Sequence, residues 1–558
     1  MRLSVSRELS AVALYSLLTV ALTWPLAARL RVTGPGDTAF FAWVMGWEAH
    51  ALRTAPGMLP HANIFHPQRY ALGLDEPILG TAVLALPLAA FTDDAVLRFN
   101  LVRLLTFVLT ALTTYLLARD LGCGEAPALF AGAAFAFSTI RTDQIAHLST
   151  LGTQWLPLVL LFAFRFFRTG LLRHALLAAL FFALAGYACG YHGVIGLLVL
   201  PLAFLPVLWS RWRRLPVALL GAAAAGLALL PLYRLQRAAL GGVGFARGRE
   251  ETILYAASLE SFLATSSSNR IYGELTAPFR LNGPSNLFPG LVLPAVVVAG
   301  ALWLWREKRR PGREAIALAV MAGAAVLVAL GPEVRWMGHA LFPGPFGLAR
   351  DAIPLLRMIR VTSRAGIFLA LSLALLAALT LARRQARPRT VALLGALTLA
   401  EALIVPVTFP SWTDVVDTRL SPPPVYAWLA AQPGEMPVVE LPIMDDDGLF
   451  RRPACDESVY MLRSTLHWKR LVNGWAGGEP EGHKTARALA KRFPSEDSLQ
   501  LFRGLGVRYV VLHGGCLGPN QRARMERDLP AFAASLREVA RFGDDTVFEP
   551  LAPASASP

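Results

Sequence analysis

Apolar residues along most of this chain come in long unbroken runs, separated by short polar segments. "LSAVALYSLLTVALTWPLAARL" (Leu9 to Leu30) and "IFLALSLALLAALTLA" (Ile367 to Ala382) carry no charge until their ends. They approach the roughly 20 residues that a helix needs to cross a bilayer. Runs of this kind near residues 9–30, 78–92, 97–118, 127–140, 150–167, 174–189, 192–209, 216–233, 286–305, 314–331, 365–382 and 390–408 predict spanning helices. The first has the basic start of a signal peptide but is long for one and is followed by further runs, so an uncleaved first helix is expected.

The polar segments assign sides. "RFFRTGLLRH" (Arg165 to His174), "SRWRR" (Ser210 to Arg214), "REKRRPGR" (Arg306 to Arg313) and "RRQARPR" (Arg383 to Arg389) are short and basic, which keeps them cytoplasmic. By alternation, residues 137–150, 233–287, 331–364 and everything after Thr408 fall on the outer face. Residues 31–76 fall there too, and twelve crossings cannot join a cytoplasmic start to an external tail. The runs at 78–92 and 127–140 are the shortest, so the expectation is eleven or thirteen spans.

Composition agrees with this class: of 558 residues, 55% are hydrophobic, and the mean hydropathy is +0.47. The formal charge of +15 sits in the inter-helix loops and reports topology, not a nucleic-acid partner. The expected fold is a mainly α membrane protein of 11 to 13 transmembrane helices, followed by a small α/β extracytoplasmic domain. Its divisions are a transmembrane domain over 1–409 with an external loop at 31–77, a C-terminal domain over 410–550, and a disordered tail over 551–558. In the C-terminal part, "MPVVELPI" and "VRYVVLHGG" are β-branched runs that read as buried strands. "PPPVYAWLAAQPG" reads as a helix with Val425, Trp428 and Leu429 on one side. Cys455 and Cys516 lie in this part, as a disulfide or as two free thiols.

Candidate chemistry lies in the outer segments. In "GPGDTAFFAWVMGWEAHAL", Phe40, Trp43 and Trp47 predict an amphipathic helix lying in the membrane interface. Asp37 is placed either to cap that helix through a backbone N–H or to serve as a fixed carboxylate accepting a proton. Glu48, Asp75 and Glu76 are candidates for a second acid, with solvated loop positions as the alternative. Arg141 and His147 could hold a phosphate, unless Arg141 pairs internally with Asp143. Arg357, Arg360 and Arg364 recur at steps of three and four on one helix face, placed for an anionic ligand, lipid head groups or ion pairs between domains. His61 and His66 lack metal-ligand spacing, and no metal site is assigned.

"GDTAFFAWVMGWEAHAL", "NIFHPQRYALG", "IRTDQIAHLSTLGTQWLPLVLL", "SNLFPG", "LLRMIRVTSRAGIFLAL", "YAWLAAQPGEMPVVELP", "YMLRSTLHWKRLVNGWAG" and "LFRGLGVRYVVLH" together resemble bacterial multi-spanning GT-C type glycosyltransferases. The resemblance implies transfer of a sugar from a polyprenyl-phosphate-linked donor to an extracytoplasmic acceptor, whether cell-envelope glycan, lipid or protein. It implies a multi-pass location in the bacterial inner membrane, contact with membrane lipid, and the C-terminal domain on the periplasmic face. The acidic residue of the first external loop in that family maps onto Asp37. Many members carry a second acid beside it, whereas Thr38 follows here. No cofactor is implied for certain, with room for a divalent cation. A non-catalytic lipid or glycan carrier or scaffold is the alternative, followed by a secondary transporter.

Overall fold

The computed structural model describes residues 5–241, 248–280, 285–407, 416–443 and 453–551. An apolar segment in a nonpolar surrounding must satisfy its backbone groups internally, and the long runs accordingly become helices. In chain order the long helices are α1 (Val5–Leu22), α2 (Asp37–Thr54), α3 (Ala95–Asp120), α4 (Glu125–Ala136), α5 (Leu156–Thr169), α6 (Leu172–Ala188), α7 (Gly190–Trp209), α8 (Leu215–Gly241), α9 (Val292–Arg306), α10 (Arg313–Ala329), α11 (Gly366–Arg383) and α12 (Pro388–Glu401). Among the described residues, five segments are long and apolar enough to cross a membrane: Ala95–Asp120, Leu148–Thr169, Gly190–Trp209, Trp212–Gly241 and Thr362–Arg383. Only 17% of the apolar window in Trp212–Gly241 is buried against protein. Its remaining surface needs a nonpolar surrounding.

The run at 78–92 forms no span, contrary to its hydropathy. It breaks into a four-residue helix at Leu79–Ala82 and a 3-10 turn at Leu88–Ala90. Pro87 interrupts the run, and Gly80 lies so close to α6 that an added Cβ would stand 2.1 Å from the Leu184 carbonyl oxygen. The basic segments sit at the turns α5–α6, α7–α8, α9–α10 and α11–α12. Beside the first of them, Arg165 donates to Asp120 at the end of α3 at 2.8 Å, and Arg168 pairs with the same carboxylate.

The expected interfacial position of α2 is also corrected. Every residue from Thr38 to Ala49 is buried, because α2 is covered by α3 and by α13 (Glu457–Ser464) of the C-terminal part. The Trp43 indole donates to Asn63 Oδ1 at 3.1 Å and that of Trp47 to the Leu59 carbonyl at 3.0 Å. The aromatic row is thus satisfied by protein rather than by lipid.

Strand β1 (Val32–Thr33) follows α1, and β2 (Glu333–Trp336) and β3 (His339–Pro343) form a hairpin after α10. β4 (Val416–Asp417) returns to pair with β1, Val32 opposite Asp417, so the C-terminal part starts beside the first polar loop. A four-stranded sheet follows in the order β5 (Val438–Leu441), β6 (Tyr509–His513), β8 (Asp545–Pro550), β7 (Leu536–Phe542), parallel between β5 and β6 and antiparallel elsewhere. Both expected strands and the helix at Pro424–Ala431 are present. β5 and β6 are buried throughout, since Val439 and Val510 pack toward Phe493 and Phe502 on one face while Val438 and Val511 pack toward Val425 and Leu429 on the other. Cys455 and Cys516 are disulfide-bonded with their Cα atoms 5.8 Å apart. The expected boundary at 409/410 and all but Leu551 of the expected disordered tail lie outside the described residues.

Candidate functional site

The polar segments from one end of the helix assembly converge on a cavity of about 610 Å³. Asp37 at the start of α2, Asp75 and Glu76 from the loop before Leu79, His147 ahead of α5, and Arg360 and Arg364 ahead of α11 all line it. These residues are far apart in sequence, and antiparallel helix packing brings them to one end.

Asp37 does not cap its helix. It is the first helical residue, preceded by Gly36 at φ 70° as N-cap, and among the described residues no side chain caps the first turn. A residue inside the first turn points its side chain off the helix, which leaves the carboxylate free to reach His147. His147 Nε2 stands 3.0 Å from Asp37 Oδ2. Burial by itself would push the Asp37 carboxyl up, but His147, Arg364 and Arg360 together outweigh it and hold the group below the usual carboxylate range. Asp37 is therefore an anion stabilised by its hydrogen bond to His147 and by the nearby arginines.

Arg364 pairs with Glu76 at 3.5 Å and lies over the Tyr191 ring at 4.2 Å. Glu76 also accepts the Tyr191 backbone N–H at 3.3 Å. Arg360 reaches Glu251 at 3.8 Å and stacks over Tyr255 at 4.8 Å. The Nε–H groups of both arginines and the Ser149 hydroxyl are buried with no hydrogen-bond partner among the described residues. Both guanidinium groups line the cavity and present cationic charge to it, while these three atoms themselves are shut off from its open space.

Three expected site residues stay out. Arg141 is fully buried in the protein, donating to Thr153 Oγ1 at 2.9 Å and to the Ala136 and Leu151 carbonyls at 2.6 and 2.9 Å, with its guanidinium over Phe107. It ties α3 to the 136–153 segment and is no ligand for phosphate; nor does it pair with Asp143, which accepts from Asn286 at 3.2 Å. Arg357 is turned away, donating to the Asp351 carbonyl at 3.1 Å. The helix face expected for the three arginines does not exist, because Pro354–Met358 and Thr362–Ala365 are separate 3-10 turns. Glu48 is buried in α2, accepts the Ile78 N–H at 3.1 Å, and is pushed well above the carboxylate range by burial. It braces a loop and is not among the residues that line the cavity. His61 and His66 meet Tyr70 N–H and the Leu505 carbonyl, as ordinary loop histidines do. Among the described residues no group of three or more His, Cys, Asp or Glu is placed to hold a metal ion.

Residues 13–401 match the family model described as a domain of unknown function, DUF6311. The chain belongs to the DUF6311 family. Compared with curated protein sequences, it finds no match. In structure it is similar to the arabinofuranosyltransferase AftD from Mycobacteria, at 18% identity and a TM-score of 0.59, over 99% of this chain and 40% of that one. It thus spans less than half of AftD's length, and the likeness is one of fold. The oligosaccharyltransferase AglB from Archaeoglobus fulgidus follows at 13% identity and a TM-score of 0.49, over 94% of this chain and 71% of that one.

The DUF6311 chain also brings residues to the cavity that its sequence did not mark. Tyr191 and Gln236 come from α7 and α8, and Asp456, Glu457 and Trp475 from the C-terminal part. Asp456 and Glu457 directly follow Cys455, and Trp475 sits between glycine-bearing dipeptides in "NGWAGG". An acidic pair beside a cysteine and an aromatic between glycines were the available signals. Asp456 accepts from the Ser458 amide at 3.0 Å and from its hydroxyl, while that hydroxyl accepts the Gly36 N–H at 2.7 Å. The C-terminal part thereby grips the backbone immediately before Asp37.

Proposed function

We propose that this protein is a membrane glycosyltransferase that moves a sugar from a polyprenyl-phosphate-linked donor to an acceptor on the outer face of a bacterial inner membrane. The observation that carries the reading is the meeting of the Asp37–His147 pair with Arg360 and Arg364 in one cavity. α1 and α3 to α12 are eleven helices. With 78–92 removed as a crossing, they take a cytoplasmic start to an external C-terminal domain over 410–550, and the basic turns all fall inside. The apolar, poorly buried face of α8, whose Gln236 and Leu240 reach the cavity, is where a lipid tail would lie.

In this scheme Arg360, Arg364 and His147 hold the donor phosphate. Asp37 accepts the proton of an acceptor hydroxyl as the new bond forms at the anomeric carbon, and the bond to phosphate oxygen breaks on the opposite side, so the anomeric configuration inverts. The lipid phosphate leaves with its charge met by the arginines. Asp75 and Glu76 act as braces, on Gly477 and Arg364. Purified protein in liposomes, given a polyprenyl-phosphate sugar and candidate acceptors, should transfer the sugar, and Asp37→Asn at equal abundance should not.

A binding protein without chemistry is the second reading, favoured by Thr38, whose hydroxyl turns back to the Gly34 carbonyl at 3.0 Å and supplies no second acid. Binding of the donor without turnover by any acceptor supports that reading.

A further inference from the structure

Trp475 lines the cavity, half-buried, edge-on to Phe40 with ring centroids 5.2 Å apart. Nearby tryptophans spend their indole N–H on protein: Trp43 on Asn63, Trp47 on Leu59 and Trp155 on the Gly80 carbonyl at 2.8 Å. The Trp475 indole N–H has no acceptor among the described residues; the bond that Trp475 makes is from its backbone N–H to Met461 Sδ at 3.2 Å. A large aromatic with a polar handle is ordinarily paired when it is turned inward.

The segment carrying it is held rigidly. Leu471 N–H donates to the Asn63 carbonyl at 2.8 Å, and the Phe65 and His66 amides donate to the Asn473 and Leu471 carbonyls at 2.9 and 2.7 Å. On the other side of Trp475, Gly477 N–H donates to Asp75 Oδ2 at 2.5 Å. Gly474 lies so near Phe65 that a Cβ would stand 2.6 Å from its ring. The backbone on both sides of Trp475 is therefore fixed before any ligand arrives, which lowers the entropy lost on binding.

The carboxylates beside it set the kind of ligand. Asp75 accepts from two amides, Asp456 from Ser458, and Glu457 from Asn473 at 3.1 Å. Carboxylate oxygens accept from hydroxyl groups, and these three stand on the same wall as the indole. A flat aromatic face, an N–H donor and carboxylate acceptors on one wall complement a sugar ring, which has a C–H face and a rim of hydroxyls.

We propose that Trp475 is the platform of an acceptor subsite for carbohydrate: the sugar ring stacks on the indole, the indole N–H donates to a sugar oxygen, and Asp456 and Glu457 accept from sugar hydroxyls. This rests on the reading of the cavity as a transfer site, and it selects glycan over peptide as the acceptor class. Phe40, which Trp475 touches, is three residues beyond Asp37, about one helical turn of roughly 5 Å, so a hydroxyl of a ring stacked there comes within reach of Asp37. The donor-holding cations come from the transmembrane part, and this wall comes from the C-terminal part.

The test is equilibrium binding of full-length protein in nanodiscs to an array of immobilised oligosaccharides of arabinofuranose, mannose, glucose and galactose, with a panel of acetylated peptides alongside. Wild type is expected to bind at least one saccharide, Trp475→Ala to weaken that binding at least about tenfold, and Trp475→Phe, which keeps the ring but loses the N–H, to fall between. Thermal melting at the wild-type temperature certifies the fold of each variant, and Trp475→Phe decides if the alanine variant does not fold. Saccharide binding unchanged in the certified variants, absence of saccharide binding by wild type, or binding of peptides in place of saccharides overturns the proposal. Asp37→Asn is expected to bind the same saccharide, and a failure of the transfer reading shows as wild-type protein that binds the saccharide but gives no turnover.

Discussion

His147 Nε2 stands 3.0 Å from Asp37 Oδ2, joining the loop ahead of α5 to the first turn of α2. If Asp37 receives the acceptor proton, its amide lacks the base while keeping the shape. Asp37→Asn should lower transfer by about 10²-fold or more with donor binding retained, measured as turnover in liposomes. Transfer at the wild-type rate would remove Asp37 from the chemistry.

The same pair fixes a pH dependence. Asp37 must be ionised to act and is held below the usual carboxylate range, after burial is outweighed, by His147 and the two arginines. Activity should therefore fall on the acid side only as pH drops through that depressed value. His147→Gln takes away the imidazole whose contact lowers the Asp37 carboxyl, so the acid limb of kcat against pH should move to higher pH. A limb that stays in place would mean that another group controls it.

The three arginines of "LLRMIRVTSRAG" should part company. Arg364 lines the cavity beside Glu76, and its loss removes a charged donor worth about 1.5–3 kcal/mol. Arg364→Lys, which loses the planar fork, should raise the KM for the donor about tenfold or more. Arg357→Ala, on a surface carbonyl, should leave KM near wild type. Arg141→Ala instead strands buried carbonyls and should cost about 3 kcal/mol or more in stability, seen as reduced abundance and a lower melting temperature.

In the C-terminal sheet, His513 lies between Glu440 and Asp545, at 2.9 Å from each. Burial alone would lower its pKa, but hydrogen bonds and charge from these two carboxylates raise it to about 9. The folded value lies above the unfolded one, so the stabilisation is fully present below about pH 6.5 and is lost as pH rises through about 9. It amounts to something on the order of 3 kcal/mol. Thermal melts from pH 6 to 10 should show this decline, and His513→Gln should flatten it.

The Cys455–Cys516 bond closes a separation of 61 residues and sits next to Asp456 and Glu457. Cys455→Ser should destabilise the C-terminal part by roughly 2–4 kcal/mol. Because Asp456 holds Ser458, which holds the Gly36 amide, transfer should fall further than a loss of folded protein explains. Activity per folded molecule is the measurement.

Much of the architecture was legible because crossing a bilayer imposes a long apolar run, and such runs are visible without a structure. The run at 78–92 misled because hydropathy counts apolar side chains regardless of Pro87, and cannot see that Gly80 is pressed against α6. The aromatic row of α2 misled for a related reason. Phe40, Trp43 and Trp47 are equally suited to lipid and to a protein cover, and only the position of α13 decides. Among the site residues, Asp37, Asp75, Glu76, His147, Arg360 and Arg364 stood out as charges at the ends of apolar runs, where charge is costly without a partner. Arg141 stood out by the same logic, yet its partners are backbone carbonyls that no pattern of side chains reveals.

The sequence by itself determined the alternation of apolar runs and basic turns, and with it the class of fold and the end at which polar chemistry collects, because those follow from local composition. Tertiary structure alone decided which of the collected residues meet. Asp37 faces His147, and Trp475 joins them across more than three hundred residues of chain, because a cavity wall is assembled from segments whose separation in sequence carries no record of their distance in space.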